Sequence, residues 1–211
     1  MFTVRVLVTG ILHLMRQVNI IGKGSGWKLA PLTGLSWGIN NINLLRPIDV
    51  IFEMHTMEVA KNLLPRCQEY LDVARENKTL AYSIMDCEVG GFKFKRFPIE
   101  KIVKEFDETF FSCSVDFMIA FAIYSKFDKI DVYGVNLVHG HEHSYERPGV
   151  EFWRGYAKGR GIDIKFHGPI CEVGKTKMGI VYGYIVPQKD FKQSEWLTNP
   201  QKEIKWRTTD T

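Results

Sequence analysis

A chain of 211 residues with a 45% apolar and 25% charged composition is that of an ordinary globular protein, long enough to bury a core and short enough for one domain. Its formal net charge of +4 favours an anionic ligand such as a nucleotide, but is too small to make nucleic-acid backbone binding the primary function. Cys67, Cys87, Cys113 and Cys171 form no C-x-x-C pair, which argues against a zinc ribbon or a disulfide framework and for a reducing cytoplasm.

The opening "MFTVRVLVTGILHLM" has an apolar run but no small-residue cleavage site, and no stretch of the chain approaches a membrane span. Residues 1–14 read as an extra strand or an N-terminal extension, with extension preferred. Residues 15–187 read as one nucleotide-binding α/β domain, and 188–211 as a polar C-terminal tail. Short β-rich runs alternating with amphipathic stretches predict an α/β, Rossmann-like fold: a mostly parallel sheet flanked by helices on both faces.

In chain order, "VNII" (Val18–Ile21) predicts a buried strand that ends in the loop "GKGSG". "LSWGINNI" (Leu35–Ile42) predicts a second strand running into a loop, and "DVIFEMH" (Asp49–His55) a third. "MEVAKNLLPRCQEYLDVARE" has helical spacing, kinked or divided at Pro65. "LAYSIM" (Leu80–Met85) predicts a strand, and "FKRFPIEKIVKEF" a loop into a short helix. "FSCSVDFMIAFAIYSKF" is the most apolar helix of the chain, followed by the central strand "KIDVYGVNL". "PGVEFWRGYAKGRG" carries proline at its start and glycine past its end, as a helix should. "IDIKFHG" predicts a last parallel strand, and "KMGIVYGYIVP" a strand or hairpin.

Four stretches carry candidate chemistry. In "GKGSG" the glycines let a backbone approach a phosphate, and the N–H groups of Gly22, Lys23, Gly24 and Ser25 with the Lys23 ammonium would hold it. The loop is neither a P-loop nor a G-x-G-x-x-G fingerprint, since the G-K-[ST] ending is absent and position 27 is Trp, so a plain turn is the competing reading. In "WGINNIN", Asn40 and Asn41 present amides that read a base edge or a sugar hydroxyl, or simply end a strand. Glu53 and His55 alternate on one face of a strand end and read as a structural pair.

The fourth stretch is "VHGHEHSYERP". His139, His141 and His143 recur with period two, the pattern of a zinc or nickel site or of solvated loop histidines, but no carboxylate or cysteine completes a ligand set. No metal is assigned. A histidine here is also a natural general base at neutral pH. Arg147 either clamps a phosphate or pairs with Glu151 one helical turn away.

The order of these pieces resembles the bacterial sialyltransferases of glycosyltransferase family 42, which carry a G-x-G-P-S loop, a T-S-G helix start, a segment "EIYLSGIDFY" and then "GHS" before a helix and a last strand. The match runs over about residues 17–170 and is best from Ser112 to Ile164. The resemblance implies a nucleotide-contacting loop at Gly22, Lys23, Gly24 and Ser25, and a donor-side asparagine at Asn40. It also implies a helix start at Ser112, Cys113 and Ser114, and a general base at His143. Asn41 and Asn136 join the nucleotide set, with Asn136 in the "VN" that stands where the family has "ID". Tyr145 or Arg147 would stabilise the departing phosphate. Lys23 stands for the family's asparagine, "SG" for "PS" and Cys113 for serine, so no particular sugar donor is assigned.

The stretch "YGVNLVHGHEHSYERPGVEFWRGYAKGRGI" is also similar to bacteriophage proteins with "YGVD…ERPSVEYWLGLARGRGI"-type segments, and the glycine loop to the pterin diphosphokinase-like family. The expected function is a metal-independent transferase, most simply a glycosyltransferase, that takes a nucleotide or nucleotide-sugar as substrate and needs no cofactor. The alternatives are a magnesium-dependent diphosphokinase and a non-catalytic phage accessory or morphogenesis protein in a host cytoplasm. The acceptor and the oligomeric state stay unassigned, and nucleic acid enters only as an acceptor.

Overall fold

Strands form where this chain places β-branched and aromatic residues in short runs, and their burial on both faces follows from parallel pairing. The computed structural model describes residues 5–8, 11–55, 67–138, 144–176, 180–181 and 186–189. Its centre is an eight-stranded sheet in the order β10-β9-β3-β4-β5-β6-β8-β7. The strands are β3 (Gln17–Ile21), β4 (Leu35–Ile39), β5 (Val50–Glu53), β6 (Leu80–Ser83), β7 (Cys87–Val89), β8 (Phe92–Arg96), β9 (Lys129–Tyr133) and β10 (Asp163–His167). All neighbours pair in parallel except β7 with β8. β1 (Arg5–Val8) and β2 (Ile11–Leu14) form a separate antiparallel pair.

The chain divides into two units, Met1–Val173 and Gly174–Thr211. In the second, β11 (Ile180–Val181) pairs antiparallel with β12 (Val186–Pro187), the hairpin form of the sequence expectation. There Gln188 Nε2 donates to Gly174 O at 2.9 Å, and Thr176 N donates to Gln188 Oε1 at 3.0 Å.

Helices cover both faces of the large sheet. On one face α2 (Ile99–Phe106), α3 (Ser114–Tyr124) and α4 (Arg147–Gly159) pack over Val18, Ile20, Trp37, Phe52, Ile130 and Val132. On the other, α1 (Cys67–Glu76) and a 3-10 turn at Asn40–Leu44 pack over Ile21, Ile51, Ala81 and Tyr133. The alternation Val18/Ile20 against Ile21 is the period of two expected of a strand buried on both sides. Among the described residues no helix is long and apolar enough to cross a membrane.

α3 is apolar nearly all round because it lies between the sheet and α4. Val115, Met118, Ile119, Ala120, Ala122 and Ile123 are all buried, each large one contributing on the order of 1.5–3 kcal/mol. Its crossing with α4 is close: a Cβ on Gly149 would collide with Ser112 Oγ and Asp116 Oδ2. Trp153, fully buried in α4, donates its indole N–H to Phe110 O at 2.9 Å.

The loop expected after the second strand is a 3-10 turn, Asn40–Leu44, which Asn40 begins with φ 49°. One local expectation changes. Residues Phe94–Arg96, expected in a loop, belong to β8. Phe92 and Phe94 are buried while Lys93 and Lys95 are exposed, and Gly90 and Gly91 at φ 55° and 75° turn β7 into β8. Pro65, with the first half of its predicted helix, lies outside the described residues.

Candidate functional site

The sheet reverses direction at β3. The chain leaves β3 toward β4, β5 and β6 on one side, and returns to its other side with β9 and β10. The carboxyl ends of β3 and β9 therefore frame the crevice where open α/β sheets bind ligands. The "GKGSG" loop leaves β3 at this point and is held by β9: Gly22 N donates to Tyr133 O and Gly24 N to Gly134 O, each at 2.8 Å. Gly134 has φ 64°, a conformation that favours glycine. Behind the loop, the buried Arg46 guanidinium donates to the carbonyls of Ala30 (3.0 Å), Pro31 (2.7 Å) and Trp27 (3.4 Å).

These contacts change the role of the loop. An N–H group donates one hydrogen, and those of Gly22 and Gly24 are engaged by the carbonyls of Tyr133 and Gly134 at the end of β9, so neither is offered to a phosphate as the sequence suggested. Ser25 is bracketed by Asn136. In the amide orientation that satisfies both ends, the Asn136 oxygen accepts from Ser25 N (3.2 Å) and Oγ (3.1 Å), and its nitrogen donates to Ser25 O (3.1 Å). What the loop presents is the Lys23 ammonium, 3.2 Å from Asn41 Oδ1.

A cavity of about 760 Å³ opens over this switch point. Lys23, Gly24, Asn40, Ser112, Cys113, Ser114, Asn136 and Tyr145, all read from the sequence as site residues, line it. Gly22, Ser25, Asn41 and Arg147 stand behind or beside it. His139, His141 and His143 lie outside the described residues. The apolar wall includes Phe111, stacked on Phe117 with ring centroids 4.4 Å apart.

The start of α3 opens onto the cavity, bringing the positive end of a helix to the same space as Lys23. Asp116, fully buried, organises this start: its Oδ2 accepts from Ser112 N (2.5 Å) and Cys113 N (3.1 Å). The Ser112 hydroxyl lies 2.9 Å from Asp116 Oδ2 and 2.8 Å from Glu146 O, and its single proton is donated within this network. Burial pushes the Asp116 carboxyl up to about 6, with the Ser112 and Cys113 hydrogen bonds opposing. Burial, and then the neighbouring Asp116 charge, push the Cys113 thiol up to about 12.

Arg147 takes the second of its two sequence readings. It is buried, with Nη2 3.4 Å from Glu151 Oε1, Nη1 3.3 Å from Glu172 Oε2, and a further hydrogen bond to Glu172 O. Tyr145 is 70% exposed at the rim.

No protein-family model matches the chain, and no curated protein matches it. Among solved structures it is similar to the sialyltransferase CstII from Campylobacter jejuni in complex with cytidine-5'-monophosphate. The identity is 12% and the TM-score 0.44, over 77% of this chain and 87% of that one. A structure of the same enzyme with CMP-3FNeuAc is similar at 14% identity and a TM-score of 0.35, over 75% and 81% of the two chains. This likeness assigns no residue of the cavity.

Asn40, a site residue already from the sequence, lines the cavity, and its Oδ1 is buried without a hydrogen-bond partner among the described residues. One feature reads in the sequence only as a structural pair: at the end of β5 His55 lines the cavity, and its Nδ1 lies 2.7 Å from Oε1 of the fully buried Glu53. Burial pushes the Glu53 carboxyl above the usual carboxylate range, while the His55 hydrogen bond and the Lys23 charge pull it down. An E-x-H pattern at the carboxyl end of a predicted parallel strand was the available signal.

Proposed function

We propose that the chain is a transferase acting on a nucleotide-activated donor, most simply a metal-independent glycosyltransferase. One observation carries this reading: Lys23 from the glycine loop, the start of α3 and Asn40 line a single cavity at the switch point of a parallel sheet. An ammonium and a helix N-terminus suit a phosphate. The Asn40 amide suits a sugar hydroxyl or a base edge, and the apolar side of the cavity at Phe111 suits the nonpolar part of a nucleoside.

In this reading Lys23 and the Ser114 end of α3 hold the phosphate and take up the charge that develops on it as the donor bond breaks. Asn40 orients the nucleoside. Tyr145 at the rim hydrogen-bonds the departing phosphate, and Arg147 holds α4 to the segment carrying Glu172 instead of clamping the ligand. His143 is the base that the motif resemblance implies.

A thermal-shift series with CMP, UMP, GMP and ATP, and with CMP-, UDP- and GDP-sugars, tests the reading. The expected result is a shift that grows with the ratio of ligand concentration to Kd, is reduced in Lys23→Ala, and persists in a chelator. Stabilisation by none of these ligands overturns it, and a shift that requires both ATP and magnesium replaces it with a diphosphokinase.

A further inference from the structure

Glu53 shares full burial with Asp116, but its partner is a cavity-lining imidazole. A carboxylate with no solvent exposure sits at the end of a strand whose other residues, Val50, Ile51 and Phe52, are buried apolar side chains. Burying such a charge costs several kcal/mol unless partners compensate it, so a purely structural strand end has no need of it. Its partner is His55, whose side chain is 36% exposed and lines the cavity. Glu53 Oε1 lies 2.7 Å from His55 Nδ1 and 3.4 Å from His55 N.

With Nδ1–H donated to a carboxylate, the imidazole has its lone pair on Nε2. A buried acid holding a half-exposed imidazole at the edge of a ligand cavity is the arrangement of an oriented proton acceptor. We propose that His55, in place of the His143 that the motif resemblance implies, is the proton acceptor of this site and that Glu53 is its positioning residue. This rests on the transferase reading above.

The step balances within that reading. The acceptor O–H bond breaks, and its proton passes to His55 Nε2. The oxygen electron pair forms the bond to the donor carbon. The donor carbon–phosphate-oxygen bond breaks with its electrons retained on the phosphate beside Lys23. The exposed imidazole then returns the proton to water.

The groups that face Glu53 bear on its pH dependence. Lys23 faces it from the glycine loop, and Tyr70 from α1. Ser83 is its register partner on β6. The Tyr70 and Ser83 hydroxyls and Glu53 Oε2 are all buried with no hydrogen-bond partner among the described residues. Among the described residues, His55 and Lys23 carry its compensation.

The test separates binding from proton transfer. The probes are CMP-N-acetylneuraminate, UDP-glucose and GDP-mannose, with release of the nucleotide to water or a glycan acceptor as the readout, and thermal shift for binding. His55→Asn is expected to keep the nucleotide-induced shift and to lower kcat by on the order of 100-fold or more. Glu53→Gln, close in shape, is expected to lower kcat less than His55→Asn while leaving KM and the nucleotide-induced shift unchanged, because the imidazole is held less firmly in place. His55→Asn turning over at the wild-type rate with an unchanged pH profile overturns this inference alone, as does full loss in His143→Ala beside an unaffected His55→Asn. Neither binding nor release by the wild-type protein overturns the transferase reading and this inference with it.

Discussion

Gly22 and Gly134 meet backbone to backbone across the switch point of the sheet. A Cβ on Gly22 would stand 2.5 Å from Gly134 O, and one on Gly134 would stand 2.7 Å from Gly22 O. Neither contact has a flexible side chain to yield, so Gly22→Ala must displace the loop or the end of β9. The expected cost is about 1–3 kcal/mol in urea unfolding, together with loss of the nucleotide-induced thermal shift. A variant with wild-type stability and binding would mean that the loop is not held by this contact.

Lys23 is the cation that the glycine loop presents to the cavity. Lys23→Ala is expected to weaken nucleotide monophosphate binding by about 10–100-fold, the worth of one charge-assisted hydrogen bond. Titration calorimetry at two salt concentrations measures this, and the wild-type affinity should fall with salt more steeply than that of the variant. Equal affinities would remove Lys23 from the phosphate site.

Asp116 links stability to pH. Its carboxyl is raised from 3.8 to about 6, mainly by burial, so the folded protein holds a proton that the unfolded chain has released across that interval. The contribution is full below about pH 4 and is lost as pH rises through about 6. Asp116→Asn has no such proton. The stability difference between wild type and variant should therefore change by on the order of 3 kcal/mol between pH 4 and pH 7, as read from unfolding curves at both ends. A difference independent of pH would show that Asp116 ionises normally.

Cys113 lines the cavity, yet its thiol is pushed up to about 12 by burial and the Asp116 charge. Thiolate is the reactive form, so iodoacetamide at pH 8 should modify Cys113 far more slowly than a free cysteine peptide. Mass spectrometry of the alkylated protein reads this directly. Rapid alkylation of Cys113 in the folded protein would contradict the burial of its sulfur.

The order of elements was legible because it rests on local patterns. Val18–Ile21, Val50–Glu53 and Lys129–Tyr133 show strand composition, the apolar Ser114–Tyr124 is long enough for a helix, and Pro148 marks the start of α4. The β7–β8 hairpin is equally local, written as F-K-F-K after Gly90–Gly91, but its strands are short and run directly into Pro98 and the helical spacing of α2, which makes Phe94–Arg96 resemble a helix-leading loop.

Sequence alone determined that Lys23, Asn40, Ser112–Ser114, Asn136 and Tyr145 stand just past or beside the ends of consecutive elements, which is why a parallel sheet gathers them at one edge. Only the tertiary structure decided what each does there. Asn136 engages Ser25 111 positions away, Gly22 and Gly24 give their N–H groups to β9, Arg147 turns to Glu151 and Glu172, and His55 joins the cavity. The physical reason is that periodicity reports the local backbone and its buried face, whereas a hydrogen-bond partner depends on which strands become neighbours. That choice is made by packing across the whole sheet and leaves no mark on the spacing of residues along the chain.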